Sequence, residues 1–103
     1  MKYINKDNFE EEVLKNNKLV MVDFFATWCG PCQMLTPVLE KISKERNDVE
    51  IMKLDIDENT ELAIRYGVEV VPTIKFFKNG SLVNSLEGFR DEGELVQNIE
   101  NYK

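Results

Sequence analysis

Two cysteines stand close together in the segment Trp28-Cys29-Gly30-Pro31-Cys32, and they are the only cysteines of the chain. An apolar run at residues 18–25 precedes them, and apolar residues recur at helical spacing from Cys32 to about Arg46, so the pair is predicted to lie where a buried strand gives way to a helix. The unpaired N–H groups and positive dipole end of a helix N-terminus favour a thiolate over a thiol. The spacing predicts a redox-active dithiol. Cys29, ahead of the helix and expected to be the more exposed, would attack as the thiolate, and Cys32 would be the resolving thiol.

A structural disulfide and half of a zinc site are the two alternatives for this pair. A disulfide that closes a ring of about four residues contributes only about 2 kcal/mol in the chain-entropy estimate, against about 4.7 kcal/mol for a hundred-residue loop. A four-cysteine zinc site would need a second chain, because this one has no further cysteine and no histidine. The lack of histidine also excludes a Ser-His-Asp triad and a Cys-His protease pair. We therefore expect redox chemistry at the two sulfurs, without a metal.

Beyond Lys18 at its first position, Asp23 is the one charged residue of the first apolar strand. Burial disfavours the charged form of a carboxyl group, so the pKa of Asp23 is expected to be raised, and Asp23 is a candidate base for the proton of Cys32, directly or through water. The alternative is an aspartate at a strand edge that faces solvent. Lys53, an isolated cation in the second apolar strand, is a candidate partner that would tune the pKa of Asp23; alternatively its stem is buried and its ammonium reaches water.

The composition describes one globular domain over residues 1–103, with 43% hydrophobic residues. Thirteen Lys and Arg residues against nineteen Asp and Glu residues give a net charge of −6, which makes nucleic acid and anionic membranes poor partners. The longest unbroken apolar run, residues 19–22, is far shorter than the roughly 20 residues that cross a bilayer. The N-terminal residues lack the apolar segment of an export signal, so we expect a cytoplasmic protein. Nothing in the sequence demands more than a monomer.

The spacing of apolar residues predicts the elements that position the cysteines. Asn79-Gly80, between two strand-like runs, is a strong hairpin signal, and Gly67 is a predicted helix C-cap. The Val71-Pro72 bond is expected to be trans, because only about 5 to 6% of X-Pro bonds in folded proteins are cis. The pattern indicates an α/β fold with helices on both faces of a mixed sheet. Its strands are predicted at residues 18–25, 49–55, 73–77 and 82–86. Its helices are predicted around residues 9–14, at 32–46, at 61–66 and at 95–102. Asn5 or Asp7 is expected to cap the first of these helices, and an Asp91–Glu94 capping box is expected at the start of the last.

Several motifs give the chain a close resemblance to the thioredoxin family, and they cover nearly the whole chain in order. They are residues 22–32, Pro37, residues 53–57, Val71-Pro72-Thr73 and residues 77–80. The resemblance implies a thioredoxin-like fold, with four α-helices around a central five-stranded mixed β-sheet. It also implies a reductant of disulfide-containing client proteins that uses a Cys29–Cys32 redox-active disulfide, binds no cofactor and is recharged by thioredoxin reductase. It reverses the expectation for Pro72, which matches the cis-proline of the family.

The resemblance further implies a flat apolar surface on which clients bind, termed here the docking surface. It consists of Trp28, Gly30, Pro31, Val71, Pro72 and Gly88. The backbone of Val71 would pair with an extended client segment, as in strand addition. Three residues depart from the family pattern: Gln33 stands where many members have Lys or Arg, Phe25 where many have a second Trp, and Glu87 where an apolar or small residue is common. Glu87 should bias client choice toward basic surfaces.

Two rival functions remain at this point. A disulfide oxidase or isomerase would use the same cysteines in the other direction, although Gly-Pro between the cysteines resembles the reducing members of the family. A non-catalytic interaction module would keep the fold and use only the docking surface, and the intact Cys29–Cys32 pair argues against it.

Overall fold

The computed structural model describes all residues, Met1–Lys103, and its centre is one five-stranded mixed sheet. The strands are β1 (Lys2–Tyr3), β2 (Leu19–Phe25), β3 (Val49–Asp55), β4 (Thr73–Lys78) and β5 (Ser81–Glu87). They lie in the order β1-β3-β2-β4-β5. The first three of these run parallel, whereas β4 is antiparallel to β2 and β5 is antiparallel to β4. The predicted mixed sheet is therefore confirmed.

Four helices flank this sheet, and three of them are α-helices. They are α1 (Gly30–Glu45), α2 (Thr60–Arg65) and α3 (Glu92–Tyr102), and a short π-helix, Glu10–Leu14, precedes them in the chain. The π-helix itself has no side-chain cap, but the predicted cap by Asn5 is present one turn earlier, where Oδ1 of Asn5 accepts a hydrogen bond from the N–H of Asp7 at 2.8 Å. In the same turn, the backbone oxygen of Asn5 accepts a hydrogen bond from the N–H of Phe9 at 3.0 Å.

The four longer strands begin and end within one residue of their predicted bounds, whereas the pattern of apolar residues did not reveal β1. Both residues of β1 are exposed, so they carry none of the apolar alternation by which a strand is recognised. They are held by parallel pairing with Met52 and Lys53 of β3. Helix α1 begins two residues earlier than predicted, because a proline such as Pro31 is tolerated in the first helical turn.

Two apolar layers bury both faces of the sheet, so every residue of β2 is buried. Alternate residues of a strand point to opposite faces. One layer joins Leu19 and Met21 to apolar residues of α1 and α3, and the other joins Val20, Val22 and Phe24 to the π-helix and α2. Asp23 follows Leu19 and Met21 in the alternation and therefore points to the side of the sheet that α1 covers.

The helix ends agree with the sequence in part. Gly67 follows α2 with a φ of +65°, as expected of a C-cap glycine. The side chain of Asp91 accepts a hydrogen bond from the N–H of Glu94 at 2.9 Å, but the other half of the predicted capping box is absent because the Glu94 carboxylate pairs with Arg90. None of the helices combines the length and apolar character that a membrane crossing requires.

The turn between β4 and β5 gives a prediction about stability. Gly80 has a φ of +81°, and a Cβ atom there would lie 3.0 Å from the backbone oxygen of Leu14. We expect Gly80→Ala to lower the free energy of unfolding by more than about 1 kcal/mol. The matched control is Gly93→Ala in α3, where a Cβ meets only the Asp91 side chain at 3.6 Å; it should raise stability by up to about 1 kcal/mol. Urea unfolding measures both, and changes of the same sign would contradict the prediction.

Candidate redox site

The two cysteines lie at the N-terminus of α1, at the end of β2. Cys29 is the N-cap residue, and its sulfur accepts a hydrogen bond from the N–H of Cys32 at 3.1 Å. The two sulfurs form a disulfide across the first turn, with the Cα atoms 5.3 Å apart. Pro31 lacks an N–H, so of the two residues Pro31 and Cys32 only Cys32 can donate to the sulfur. A helix end that donates to sulfur in this way stabilises a thiolate once the disulfide opens.

Apolar residues surround the disulfide closely. Cys29 is 5% exposed and Cys32 is 2% exposed. Cys29 is thus the more exposed of the two, as predicted, but the difference is small. Ile56 and Val71 pack against the cluster that the cysteines form with the end of β2. The sulfur of Cys29 lies 3.7 Å from the backbone oxygen of Val71. The exposed residues that follow Cys29 are Gly30 and Pro31, so the disulfide is open to solvent mainly beside them.

That loop contains the one cis peptide bond of the chain, Val71-Pro72. The cis bond implied by the family resemblance is confirmed, and the trans bond expected from base rates alone is wrong. The backbone oxygen of Pro72 accepts a hydrogen bond from the N–H of Gly88 at 2.7 Å. Because Val71 also contacts Cys29, the structure brings the loops at residues 71–72 and 88 to the edge of the disulfide.

The six residues predicted to form the docking surface differ in how exposed they are. Trp28 is 69% exposed, and its indole N–H donates to the carboxylate of Asp57 at 2.9 Å. Gly30 and Pro31 are exposed, Val71 and Gly88 are half-buried, and Pro72 is buried. Pro72 thus shapes the loop rather than offering apolar surface itself.

The sequence did not indicate three further residues beside the predicted docking surface, namely Val70, Phe89 and Asp57. Val70 is 46% exposed and Phe89 is 41% exposed, and they extend the apolar surface beside Val71 and Gly88. An available signal was that both apolar residues fall outside every predicted strand and helix. Asp57, which binds the Trp28 indole, carried no comparable signal in the pattern.

Asp23 is buried on the α1 side of the sheet, 1% exposed, which confirms its predicted burial and excludes a solvent-facing strand edge. Neither carboxylate oxygen has a hydrogen-bond partner. The Nζ of Lys53 lies 3.9 Å from Oδ2 of Asp23 and donates instead to Oγ1 of Thr36 at 2.8 Å. Burial raises the pKa of Asp23 to about 7, and the positive charge of Lys53 opposes this rise only in part.

Lys53 is itself buried, at 5% exposure, so the alternative of an ammonium that reaches water is wrong. Its ammonium also lies 4.6 Å from the centre of the Phe25 ring, within the range of a cation–π contact. A cavity of about 190 Å³ lies beside this group and is lined by Cys32, Thr36 and Lys53 among others. No group of three or more Cys, Asp or Glu residues is arranged to hold a metal ion.

Comparison with known proteins agrees with this geometry. The family model described as Thioredoxin matches residues 1–101. Thioredoxin of Rickettsia bellii is 43% identical over 99 residues, which cover 95% of this chain and 94% of the relative. Thioredoxin of Chlamydia muridarum is 44% identical over 100 residues, covering 97% and 96%, and thioredoxin of Listeria monocytogenes is 43% identical over 103 residues, covering 99% and 98%.

Proposed function

The chain belongs to the thioredoxin family of thiol-disulfide oxidoreductases, and we propose that it reduces disulfides in client proteins and is recharged by thioredoxin reductase. The observation that carries the proposal is the hydrogen bond from the N–H of Cys32 to the sulfur of Cys29 at 3.1 Å. It directs the N-terminus of α1 at the sulfur that must be ionised. This chemistry needs no bound cofactor, because the two sulfurs themselves carry the electrons.

In the first step, the Cys29 thiolate attacks one sulfur of the client disulfide. The client S–S bond breaks, a mixed disulfide forms between Cys29 and the client, and the second client sulfur leaves as a thiolate. Cys29 is suited to this role because its position ahead of the helix gives its sulfur the N–H of Cys32 as a donor. The docking surface would hold the client, with the backbone of Val71 pairing with an extended segment.

In the second step, Cys32 loses its proton and attacks the sulfur of Cys29. The Cys29–Cys32 disulfide forms, the bond to the client breaks, and the client leaves with two electrons as a dithiol. Asp23 is the proposed base for the Cys32 proton. A carboxyl group with a pKa near 7 accepts and releases a proton at neutral pH, which suits general-base catalysis. Lys53 would tune it through its positive charge.

Residues 1–103 would act in this chemistry as a single domain and as a monomer. A reductant of protein disulfides works in a compartment that is kept reducing, so we propose a cytoplasmic location. Partners would be thioredoxin reductase and disulfide-containing clients, whereas the net charge of −6 disfavours nucleic acid and anionic membranes. Glu87 at the rim of the docking surface would favour clients with basic surfaces.

Reduction of a disulfide-containing test protein examines the proposal in two arms. Dithiothreitol supplies electrons in the first arm, and NADPH with thioredoxin reductase supplies them in the second. Trp28, the sole indole and a neighbour of Cys29, serves as a reporter, because its emission should differ between the disulfide and dithiol forms. We expect rates well above the uncatalysed background in both arms. A reduction rate at background in the first arm would overturn the proposed disulfide reduction by this chain. Failure of the second arm alone would overturn only the recharge by thioredoxin reductase.

A further inference from the structure

The hydroxyl of Thr36 stands between the buried ammonium of Lys53 and the backbone of Cys32. It accepts a hydrogen bond from Lys53 at 2.8 Å and donates one to the backbone oxygen of Cys32 at 3.3 Å. Thr36 lies one helical turn after Cys32, so both residues are on the same face of α1. A link of two hydrogen bonds therefore joins Lys53 to the resolving cysteine.

Lys53 has a second acceptor nearby that it does not use. Oδ2 of Asp23 lies 3.9 Å from its Nζ, beyond hydrogen-bond distance, and both oxygens of Asp23 lack any partner. The two groups thus form an ion pair without a hydrogen bond, and a buried ammonium and a buried carboxylate both gain when a hydrogen bond joins them. A shift of about 1 Å would bring Lys53 into hydrogen-bond distance of Asp23. The Thr36 hydroxyl is the acceptor that competes with Asp23 for this ammonium.

We propose that Thr36 is a positioning residue for the resolving step: its hydroxyl holds the Lys53 ammonium away from Asp23 and so keeps the Asp23 oxygens free for the proton of Cys32. This inference rests on the proposed function of Asp23. In the step concerned, the proton of the Cys32 thiol passes to Asp23, directly or through water. The Cys32 thiolate then attacks Cys29, the Cys29–Cys32 bond forms, and the electron pair of the broken bond leaves on the client sulfur.

Few groups other than Lys53 can influence the pKa of Asp23. In the sheet, Asp23 is paired with Lys53 of β3 on one side and with apolar Ile74 of β4 on the other. Helix α1, which covers this side of the sheet, contributes Thr36, which binds Lys53, and Cys32, a thiol once the disulfide opens, which lines the same cavity as Thr36 and Lys53. Lys53 is the only charged group that acts on the pKa of Asp23. Its position therefore decides how easily Asp23 takes up a proton.

Thr36→Val tests the proposal, because valine has nearly the shape of threonine but no hydroxyl. Without the hydroxyl, the Lys53 ammonium should move to Asp23. If the distance from Nζ of Lys53 to Oδ2 of Asp23 falls from 3.9 Å to about 2.8 Å, the stronger attraction at an effective dielectric constant of about 20 lowers the pKa of Asp23 by about one pH unit. Thr36→Ser keeps a hydroxyl and should keep the wild-type pKa. The ¹³C shift of the Asp23 carboxyl group, followed against pH in the disulfide form of the whole chain, reports this pKa without any activity assay.

A second comparison separates the effect of Lys53 from a general change in packing. With Lys53→Met as the background, Thr36→Val should leave the pKa of Asp23 unchanged, because no ammonium remains to move. The pH profile of the resolving step should shift toward acid by the same one unit in Thr36→Val alone. An unchanged pKa in Thr36→Val, or an equal shift in Thr36→Ser, would overturn the proposal. If the valine variant does not fold, Thr36→Ala takes its place. Because the titration needs no client, its failure is distinguishable from failure of the reductase activity.

Discussion

Cys29→Ser is expected to lose disulfide reduction by at least about a thousand-fold, since removal of an enzyme's nucleophile takes away nearly all of its rate enhancement. Cys32→Ser should behave differently. Its Cys29 still attacks the client, but no second thiol follows, so the protein should remain covalently attached to its first client. The two variants therefore fail at different steps of the same reaction.

The rate advantage of the cysteine pair over a free thiol depends more on the second thiol than on the ionisation of the first. If the helix end lowered the pKa of a cysteine from about 8.5 to about 7, the thiolate fraction at pH 7 would rise some 16-fold. The same change lowers the intrinsic nucleophilicity roughly 5-fold, which leaves a gain of about 3-fold. Most of the advantage must then come from holding Cys32 one helical turn away, where it displaces the client at once.

Reduction of a test protein by dithiothreitol measures the first effect, and intact mass after a single turnover detects the trapped adduct. Thr27→Ser is a matched control, because it changes an exposed hydroxyl residue near the cysteines and leaves both sulfurs in place. It should retain nearly the wild-type rate. Similar rates in wild type, Cys29→Ser and Cys32→Ser would exclude the redox assignment and favour an interaction module that uses only the docking surface.

The sequence predicted those parts of the fold that depend on burial. A continuous apolar run predicted β2, and one charge inside that run predicted the burial of Asp23 and the direction of its pKa shift. In contrast, β1 is short and exposed on both residues, so its position depends on pairing with β3, which no local pattern reveals. The cis bond before Pro72 came from the family resemblance, because its local sequence favours trans.

Within the candidate site, the sequence could not predict the hydrogen-bond partner of each polar side chain. The sequence suggested that Lys53 pairs with Asp23, and the two do form an ion pair at 3.9 Å, but the hydrogen bond of the ammonium goes to Thr36 of α1. That choice depends on how helix α1 lies across the sheet. The near-equal burial of the two cysteines has a similar origin, because the loop at Val71 covers Cys29 from a distant part of the chain.

Asp23→Asn is expected to stabilise the protein above about pH 7 and to slow its reaction. The folded protein holds a proton on Asp23 up to about pH 7, whereas the unfolded chain loses it near the ordinary value of 3.8. The native state therefore binds more protons between these values, and its stability falls as the pH rises from about 4 to about 7. A rise of about three pH units corresponds to about 4 kcal/mol, an upper value for this loss.

Asparagine at this position has no proton to lose, so the variant should escape that loss. Urea unfolding at pH 4 should give similar stabilities for wild type and Asp23→Asn, and the variant should be the more stable by up to about 4 kcal/mol at pH 8. Asp7→Asn makes the same chemical change at an exposed position and should follow the wild-type pH dependence. A difference between wild type and Asp23→Asn that does not vary with pH would contradict the prediction.

The same substitution removes the proposed base, so activity should move in the opposite direction from stability. General acid–base catalysis typically contributes between about 10² and 10⁴ in rate. We expect the lower end, about 10²-fold, because the cavity beside Cys32 gives room for water as a weaker acceptor of its proton. The mixed disulfide should then persist in Asp23→Asn long enough to be seen by mass spectrometry and should still resolve, unlike that of Cys32→Ser. A variant that is more stable at pH 8 yet resolves at the wild-type rate would limit Asp23 to a buried charge without a role in the reaction.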